Sequence, residues 1–353
     1  MTLDVFKARF DAAFRSVLDR QLAAAKQVTA DHSLGQMLRY TRTFMLGGGK
    51  RLRPYLAYLG YATGGGRQTP AIFNVTTALE LFHVFCLIQD DVIDCSAERH
   101  GMRTVHEELR GNLGRMNRVG DARHISQGEA ILIGDLLAGW AEDIINQSTD
   151  WPAARVRAAA EIFRTMRTEV IVGQLLDVDT STRPAISNAL IREKLILKSA
   201  RYSFVRPLQF GLALAGAARQ RLSFADRFGT ALGSAFQIQD DLLDLTGDAN
   251  TVGKSLLNDI RQHQHTPFTQ FVLTQGSYVH RKQLLHWFGG DVEPRDHGAI
   301  LEMFERSGAI DYGRKIIAKH LADAEAQLKR QSLSPALRTA FQGLVDAVSR
   351  RAS

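Results

Sequence analysis

The stretch Leu79-Glu80-Leu81-Phe82-His83-Val84-Phe85-Cys86-Leu87-Ile88-Gln89-Asp90-Asp91-Val92-Ile93-Asp94 decides the fold. An almost wholly apolar run ends abruptly in acids. It shows no alternation of the kind a half-buried strand would need, and it is longer than a typical strand, so a core helix over about 71–95 is expected. Asp90 and Asp94 are one helical turn apart, and their carboxylates therefore share a face. Like charges at the end of a buried helix are costly without a cation. Oxygen-only donors in this number suit Mg²⁺, which keeps waters and accepts phosphate oxygens.

The pattern recurs about 150 residues later. Gly229-Thr230-Ala231-Leu232-Gly233-Ser234-Ala235-Phe236-Gln237-Ile238-Gln239 leads into Asp240-Asp241-Leu242-Leu243-Asp244. One such cluster is also what a solvated helix end looks like. Two copies, each behind an apolar helix, argue for a joint role. Facing each other across a cavity, they would form a site with three Mg²⁺ ions for a diphosphate.

Outward from these clusters, helical periodicity is found nearly everywhere. Helices are expected over 3–28, up to about Ala62 after a break at Leu46–Pro54, and over 126–147, 153–179, 187–216, 221–246, 267–288, 294–307, 309–330 and 335–350. Residues 101–123 look looser, and 247–266 reads as a polar loop. With only 8 prolines in 353 residues, helix breakers are too few for an all-β chain rich in turns. The apolar fraction, 45%, excludes a disordered chain. These features give an all-α fold, a single domain over 1–353, with middle helices too apolar for a simple four-helix bundle.

The two cysteines, Cys86 and Cys95, exclude a disulfide framework and a four-thiolate metal site. The charged N-terminus lacks an apolar signal core, so a cytoplasmic location is the default. No membrane span is expected, since the best candidate, Ala130 to Ile145, is interrupted by Asp135, Glu142 and Asp143. The net charge of +7 favours anionic partners in a general way. Its basic residues are dispersed, without a Lys/Arg block, which argues against nucleic acid and leaves a small phosphorylated ligand.

Cations to complete an anion site occur in four places: Lys50 and Arg53 in Gly47-Gly48-Gly49-Lys50-Arg51-Leu52-Arg53-Pro54; Arg99 just after the first acids; Lys198 in Lys198-Ser199-Ala200-Arg201-Tyr202; and Lys254 in Gly247-Asp248 … Gly253-Lys254. Each alone reads equally as a solvated side chain. A phosphate-loop reading of the glycine run fails, because G-x-x-x-x-G-K-[ST] is not matched.

In this order the motifs resemble those of the trans-isoprenyl diphosphate synthases (polyprenyl synthetases), over essentially the whole chain. The resemblance implies an isoprenoid-synthase-type helical bundle around a deep central cavity, usually as a homodimer. It implies condensation of an allylic diphosphate with isopentenyl diphosphate to a short-chain product, farnesyl or geranylgeranyl diphosphate. Carried over by position, Asp90, Asp94 and Asp240 would bind three Mg²⁺ ions. Asp91 and Asp244 would support them, and Asp241 is counted with the catalytic acids. Arg99, Lys198 and Lys254 would hold the allylic diphosphate, and Lys50, Arg53 and His83 the isopentenyl diphosphate. Ser199 and Gln237 would sit beside the allylic cation. Phe82, Phe85 and Cys86, upstream of the first acids, would limit product length. The family relation places the wall at Phe85, although helical geometry puts Cys86 on the face of Asp90 and Phe85 roughly 140° away.

Four positions depart from the family pattern. His100 stands where a second Arg is usual, Arg103 where Pro is usual, Ser199 where Thr is usual, and Gln264 where the Lys of D-x-x-x-x-K-x-T is usual. Either His100 or Arg103 substitutes for the missing Arg, or the acceptor has changed. In the second case the chain would ionise an allylic diphosphate with cyclisation, elimination or another acceptor, as a terpene synthase does.

Overall fold

The computed structural model describes residues 1–99, 101–115, 119–247 and 256–350. In chain order its helices are α1 (Leu3–Lys26), α2 (His32–Leu46), α3 (Leu52–Thr63), α4 (Pro70–Ile93), α5 (Val105–Arg115), α6 (Ala122–Asn146), α7 (Ala153–Thr180), α8 (Asn188–Leu195), α9 (Arg206–Ala215), α10 (Arg219–Thr246), α11 (Asn258–Arg261), α12 (Pro267–Gln275), α13 (Tyr278–Trp287), α14 (His297–Arg306), α15 (Ala309–Lys329) and α16 (Pro335–Ser349). A two-stranded hairpin pairs β1 (Glu98–Arg99) with β2 (Met102–Arg103). The all-α expectation holds, with this hairpin as its small exception.

Local chemistry explains the starts. Pro70 opens α4, where its missing N–H costs nothing. Asp121 caps α6 by accepting from the backbone N–H groups of Arg123 (2.9 Å) and His124 (3.2 Å). Three boundaries differ from the sequence expectation. Helix α2, capped by Asp31, occupies a stretch that the apolar patterning does not mark. The expected helix 267–288 divides at Gly276, and Ser277 caps the second half. Within 101–123, α5 is well formed.

The helix from 188 to 215 is continuous but not uniform. Ile196–Val205 is wound as a π-helix between α8 and α9. Pro207 has no N–H to offer Ser203, so the i→i+4 ladder is broken at the exit of this run. Wide turns of this kind re-aim side chains, and they concentrate at working sites.

Most of the buried apolar residues form one cluster, reaching from Phe6 to Val348. Helix α4 runs through it, packed on α1, α3 and α6. Among the described residues this helix, not 130–145, is the segment long and apolar enough to cross a membrane, and 67% of its most apolar window is buried inside the protein. That is the pattern of a core helix. On the far side, α10 packs on the π-run and on α15.

Candidate active site

The end of α4 delivers three aspartates to one place, and the hairpin supplies their counter-ion. Arg99 donates from Nε to Asp91 (2.7 Å) and from Nη2 to Asp90 (3.2 Å). Asp91 is fully buried, and its other oxygen, Oδ2, has no hydrogen-bond partner. Burial lifts its carboxyl to about 7 in spite of Arg99. Burial, and then the charge of Asp90, lift Asp94 to about 6. These carboxylates are short of positive charge.

Helix α7 meets this cluster from the side. A Cβ on Gly173 would stand 2.6 Å from the backbone N of Lys198, so only glycine lets α7 approach the π-run this closely. Gln174 then donates to Asp90 (3.2 Å). Asp177 takes two lysines: Lys198 on Oδ2, and Lys194 on Oδ1 at 2.9 Å. Burial opposes its charge, but the two ammoniums hold its carboxyl below the usual range. Lys198 also lies 3.9 Å from Asp90. Burial works against the Lys198 ammonium, and Asp177 and Asp90 outweigh it, so its pKa is raised.

The π-run carries the site across to α10. A Cβ on Gly233 would stand 2.6 Å from the Cα of Ala200, so α10 sits directly on this run. Ser199 donates to Gln237 Oε1 (2.6 Å), and Gln237 donates to Asp241 (2.8 Å). The serine thus keeps the hydroxyl in place. Burial raises Asp241 to about 7. Asp244 faces the chain beyond the second cluster. Its oxygens accept from the backbone N–H groups of Asn258 (3.2 Å) and Asp259 (3.1 Å) and so fix that segment. Asp240 is half-buried beside them. Lys254 and His100 lie outside the described residues.

Three cations of the glycine-rich turn part company. Lys50 is exposed. Arg51 is 4% exposed and pairs with Glu80 (2.6 Å) and Asp11 (2.9 Å), which pins the turn to α4 and α1. Arg53 points inward, donating to Ser203 (2.7 Å) and lying over the Tyr202 ring. His83 Nδ1 is 3.1 Å from the Tyr202 hydroxyl. Arg103 lies 3.9 Å from Glu108, its side chain 59% exposed. In this arrangement it is on the outer side of the hairpin.

Phe82 is fully buried among Phe163, Tyr202 and Phe85. Phe85 is half-buried, and its ring edge lies against Gly134 of α6. Burial pushes the Cys86 thiol up to about 12. Sequence reading passes over Gln174, Asp177, Lys194 and Tyr202. A signal exists for the first two: in Gly173-Gln174-Leu175-Leu176-Asp177, two polar residues about one turn apart interrupt an apolar stretch.

Among the described residues no group of three or more His, Cys, Asp or Glu side chains stands ready to hold a metal by itself. The donor set nevertheless fits Mg²⁺ bound jointly with phosphate oxygens and water, as the orphaned Asp91 Oδ2 and the raised acids indicate.

Comparison with known proteins gives the same outline. A family profile described as Polyprenyl synthetase matches residues 32–305. A short chain isoprenyl diphosphate synthase from Methanothermobacter thermautotrophicus is 29% identical, over 89% of this chain and 90% of its own. A geranylgeranyl diphosphate synthase from Methanosarcina mazei is 26% identical, over 83% of each chain. The crystal structure of geranylgeranyl pyrophosphate synthase from Corynebacterium glutamicum, complexed with isoprenyl diphosphate and magnesium, superposes with a TM-score of 0.90 at 29% identity. It covers 97% of this chain and 99% of that one. With a matched segment spanning most of its length, the chain belongs to the polyprenyl synthetase family.

Proposed function

We propose that the protein is a Mg²⁺-dependent prenyltransferase that joins an allylic diphosphate to isopentenyl diphosphate and releases a short-chain prenyl diphosphate, farnesyl or geranylgeranyl. The observation that carries this reading is the bridge between the two acidic helix ends. Lys198 reaches Asp90, and its neighbour Ser199 reaches Gln237 and through it Asp241. The names of the relatives support it.

Asp90 and Asp94 would hold two ions and Asp240 a third, with diphosphate and water oxygens completing each shell. The chemistry supplied by bound Mg²⁺ is Lewis-acid neutralisation of the departing diphosphate. Arg99, Lys198 and Lys254 add charge-assisted bonds to it, so the allylic C–O bond ionises. Gln237, oriented by Ser199 and Asp241, presents its carboxamide beside the allylic cation. Lys50, Arg53, His83 and His100 hold the isopentenyl diphosphate. Its double bond attacks the cation, a C–C bond forms, and the departed diphosphate takes the proton. The apolar residues around Phe82 and Phe85 exclude water, which would quench the cation.

We also read the exposed apolar residues of α6 (Ile131, Leu132) and α7 (Ile171, Val172, Leu175, Val178) as the contact with a second copy. Light scattering on a sizing column tests this: a homodimer is expected.

The functional test gives the purified chain Mg²⁺ and dimethylallyl, geranyl, farnesyl or geranylgeranyl diphosphate, each with and without isopentenyl diphosphate. Mass spectrometry reads the products. Chain-extended diphosphates that require isopentenyl diphosphate are expected. Hydrocarbons or alcohols indifferent to isopentenyl diphosphate would replace this reading with a terpene-synthase-like one.

A further inference from the structure

Position 264 carries an amide, and the structure shows what faces it. Lys194 Nζ donates to Gln264 Oε1 at 3.3 Å. The contact is held from both sides. The Gln264 backbone N–H donates to Asp259 O (2.7 Å), and its carbonyl accepts from Thr269 (3.3 Å). Its neighbours His263 and His265 bond the carbonyls of Ser181 (2.6 Å) and Arg183 (2.9 Å) at the end of α7. Gln264 is thus clamped against the wall formed by α7 and α8, its side chain on Lys194.

Lys194 itself is 9% exposed and sits one turn before Lys198. The two ammoniums share the carboxylate of Asp177, and Lys198 also lies 3.9 Å from Asp90. The other acids within their influence are Asp90 and Asp94 for Lys198 and Asp241 for Lys194, so the lysine pair lies within the field of both acidic clusters. Once Asp90 and Asp94 hold Mg²⁺, as proposed above, the buried lysine pair loses part of its counter-charge, and the bound diphosphate is the anion this site is read to take in its place.

We propose that Lys194 and Gln264 form one exchangeable cation position, in which the α8 lysine supplies to the diphosphate the charge that the loop residue at 264 does not. This rests on the reading that the site binds and ionises an allylic diphosphate. A lysine at both places would set two ammoniums against each other. A glutamine at both would leave the position without charge.

The test compares the full chain with K194Q, Q264K and the double exchange K194Q/Q264K. Two quantities are read: KM for the allylic diphosphate, and the rise in Tm produced by Mg²⁺ with inorganic diphosphate. K194Q is expected to weaken both by roughly ten-fold in affinity, the scale of one charge-assisted bond. Asp177 keeps Lys198, so the ligand-free Tm should hold. The exchange is expected to restore affinity to within about three-fold of the parent. An exchange no better than K194Q, with ligand-free Tm unchanged, would reduce Lys194 to a neutraliser of Asp177. Should the glutamine variants unfold, Lys194→Arg and Lys194→Met decide instead. Retention of the diphosphate response by Arg and its loss by Met supports the proposal, and equal responses overturn it. If the parent makes no prenyl diphosphate, the functional reading fails. The response to Mg²⁺ and inorganic diphosphate across these variants still judges Lys194.

Discussion

The guanidinium carbon of Arg53 lies 4.2 Å from the centroid of the Tyr202 ring. The hydroxyl of the same ring is 3.1 Å from His83 Nδ1. One tyrosine of the π-run therefore orders two of the residues proposed to hold isopentenyl diphosphate. Tyr202→Phe keeps the ring under Arg53 and loses the hydroxyl's contacts with His83 and Cys86. Tyr202→Leu removes the ring as well, including a cation–π contact of about 0.5–2 kcal/mol. KM for isopentenyl diphosphate is expected to rise a few-fold in the first variant and about ten-fold or more in the second. KM for the allylic substrate should stay near its parent value. Steady-state kinetics with each substrate varied in turn checks this, and equal shifts in both constants would show that Tyr202 is only packing.

Asp90 is the acid that Arg99, Gln174 and Lys198 all reach, so its charge is the hub of the first cluster. Asp90→Asn keeps its shape and removes that charge. Turnover is expected to fall by about 100-fold or more, the usual scale for losing one preorganised electrostatic group. Extra Mg²⁺ should not restore it. The variant should remain folded by circular dichroism, because Asp90 is partly exposed to the site rather than enclosed in the core.

Much of this is legible in the sequence, for identifiable reasons. The run from Leu79 to Asp94 can only be a core helix ending in acids, and its repetition at 229–244 reveals a two-sided site. Helix α2 is not legible, because its buried positions are few: Leu38, Thr41 and Met45. The π-run leaves no signal either, since winding one residue wider changes which side chains meet without changing composition. Asp177 is a single acid in a long helix. It becomes part of the site through Gly173, which lets α7 come within contact of Lys198. The cations at 50, 51 and 53 look alike in sequence. Their separate fates follow from Arg51 adopting a left-handed backbone (φ 52°) that turns it toward Glu80.

The two thiols should behave differently. Cys95 is exposed, whereas burial pushes Cys86 up to about 12. At pH 8 only about one Cys86 in ten thousand is thiolate, the reactive form. Iodoacetamide under native conditions is therefore expected to modify one cysteine per chain, at Cys95, as read by peptide mass spectrometry. Rapid native labelling of Cys86 would mean that the α4–Tyr202 contact opens readily.

His265 gives a pH dependence with a definite sign. It is 1% exposed, Nε2 lies 2.9 Å from Arg183 O, and burial holds its pKa below the ordinary value. The folded state therefore binds this proton less readily than the unfolded chain. Its stabilising contribution is complete above the unfolded pKa of about 6.5 and is lost as pH falls below it. The raised acids Asp91, Asp94 and Asp241 run the other way over part of this range, so the comparison must be between the parent and His265→Asn. Their difference in unfolding free energy, from urea titrations, is expected to be larger at pH 8 than at pH 5. A constant difference would exclude His265 as the titrating group.

Phe82 and Phe85 are neighbours in the chain, with ring centroids 5.2 Å apart, yet substitution should affect different properties. Phe82 is fully enclosed by Phe163, Tyr202 and Phe85, so Phe82→Ala leaves a cavity and is expected to cost about 3–5 kcal/mol of stability. Phe85 is half-buried, and its ring lies against Gly134 on α6, where a Cβ would already stand 3.3 Å from it. Placed five residues before Asp90 with its ring against α6, Phe85 is the residue we propose as the floor for a chain growing away from the aspartates. Phe85→Ala is expected to cost less stability and to extend the product by one or more five-carbon units. Chromatography of dephosphorylated products from parent and variant reads this directly. Longer products from Phe85→Ala but not from Phe82→Ala would assign the floor to Phe85, and an unchanged distribution in both would place the limit elsewhere on α4 or α6.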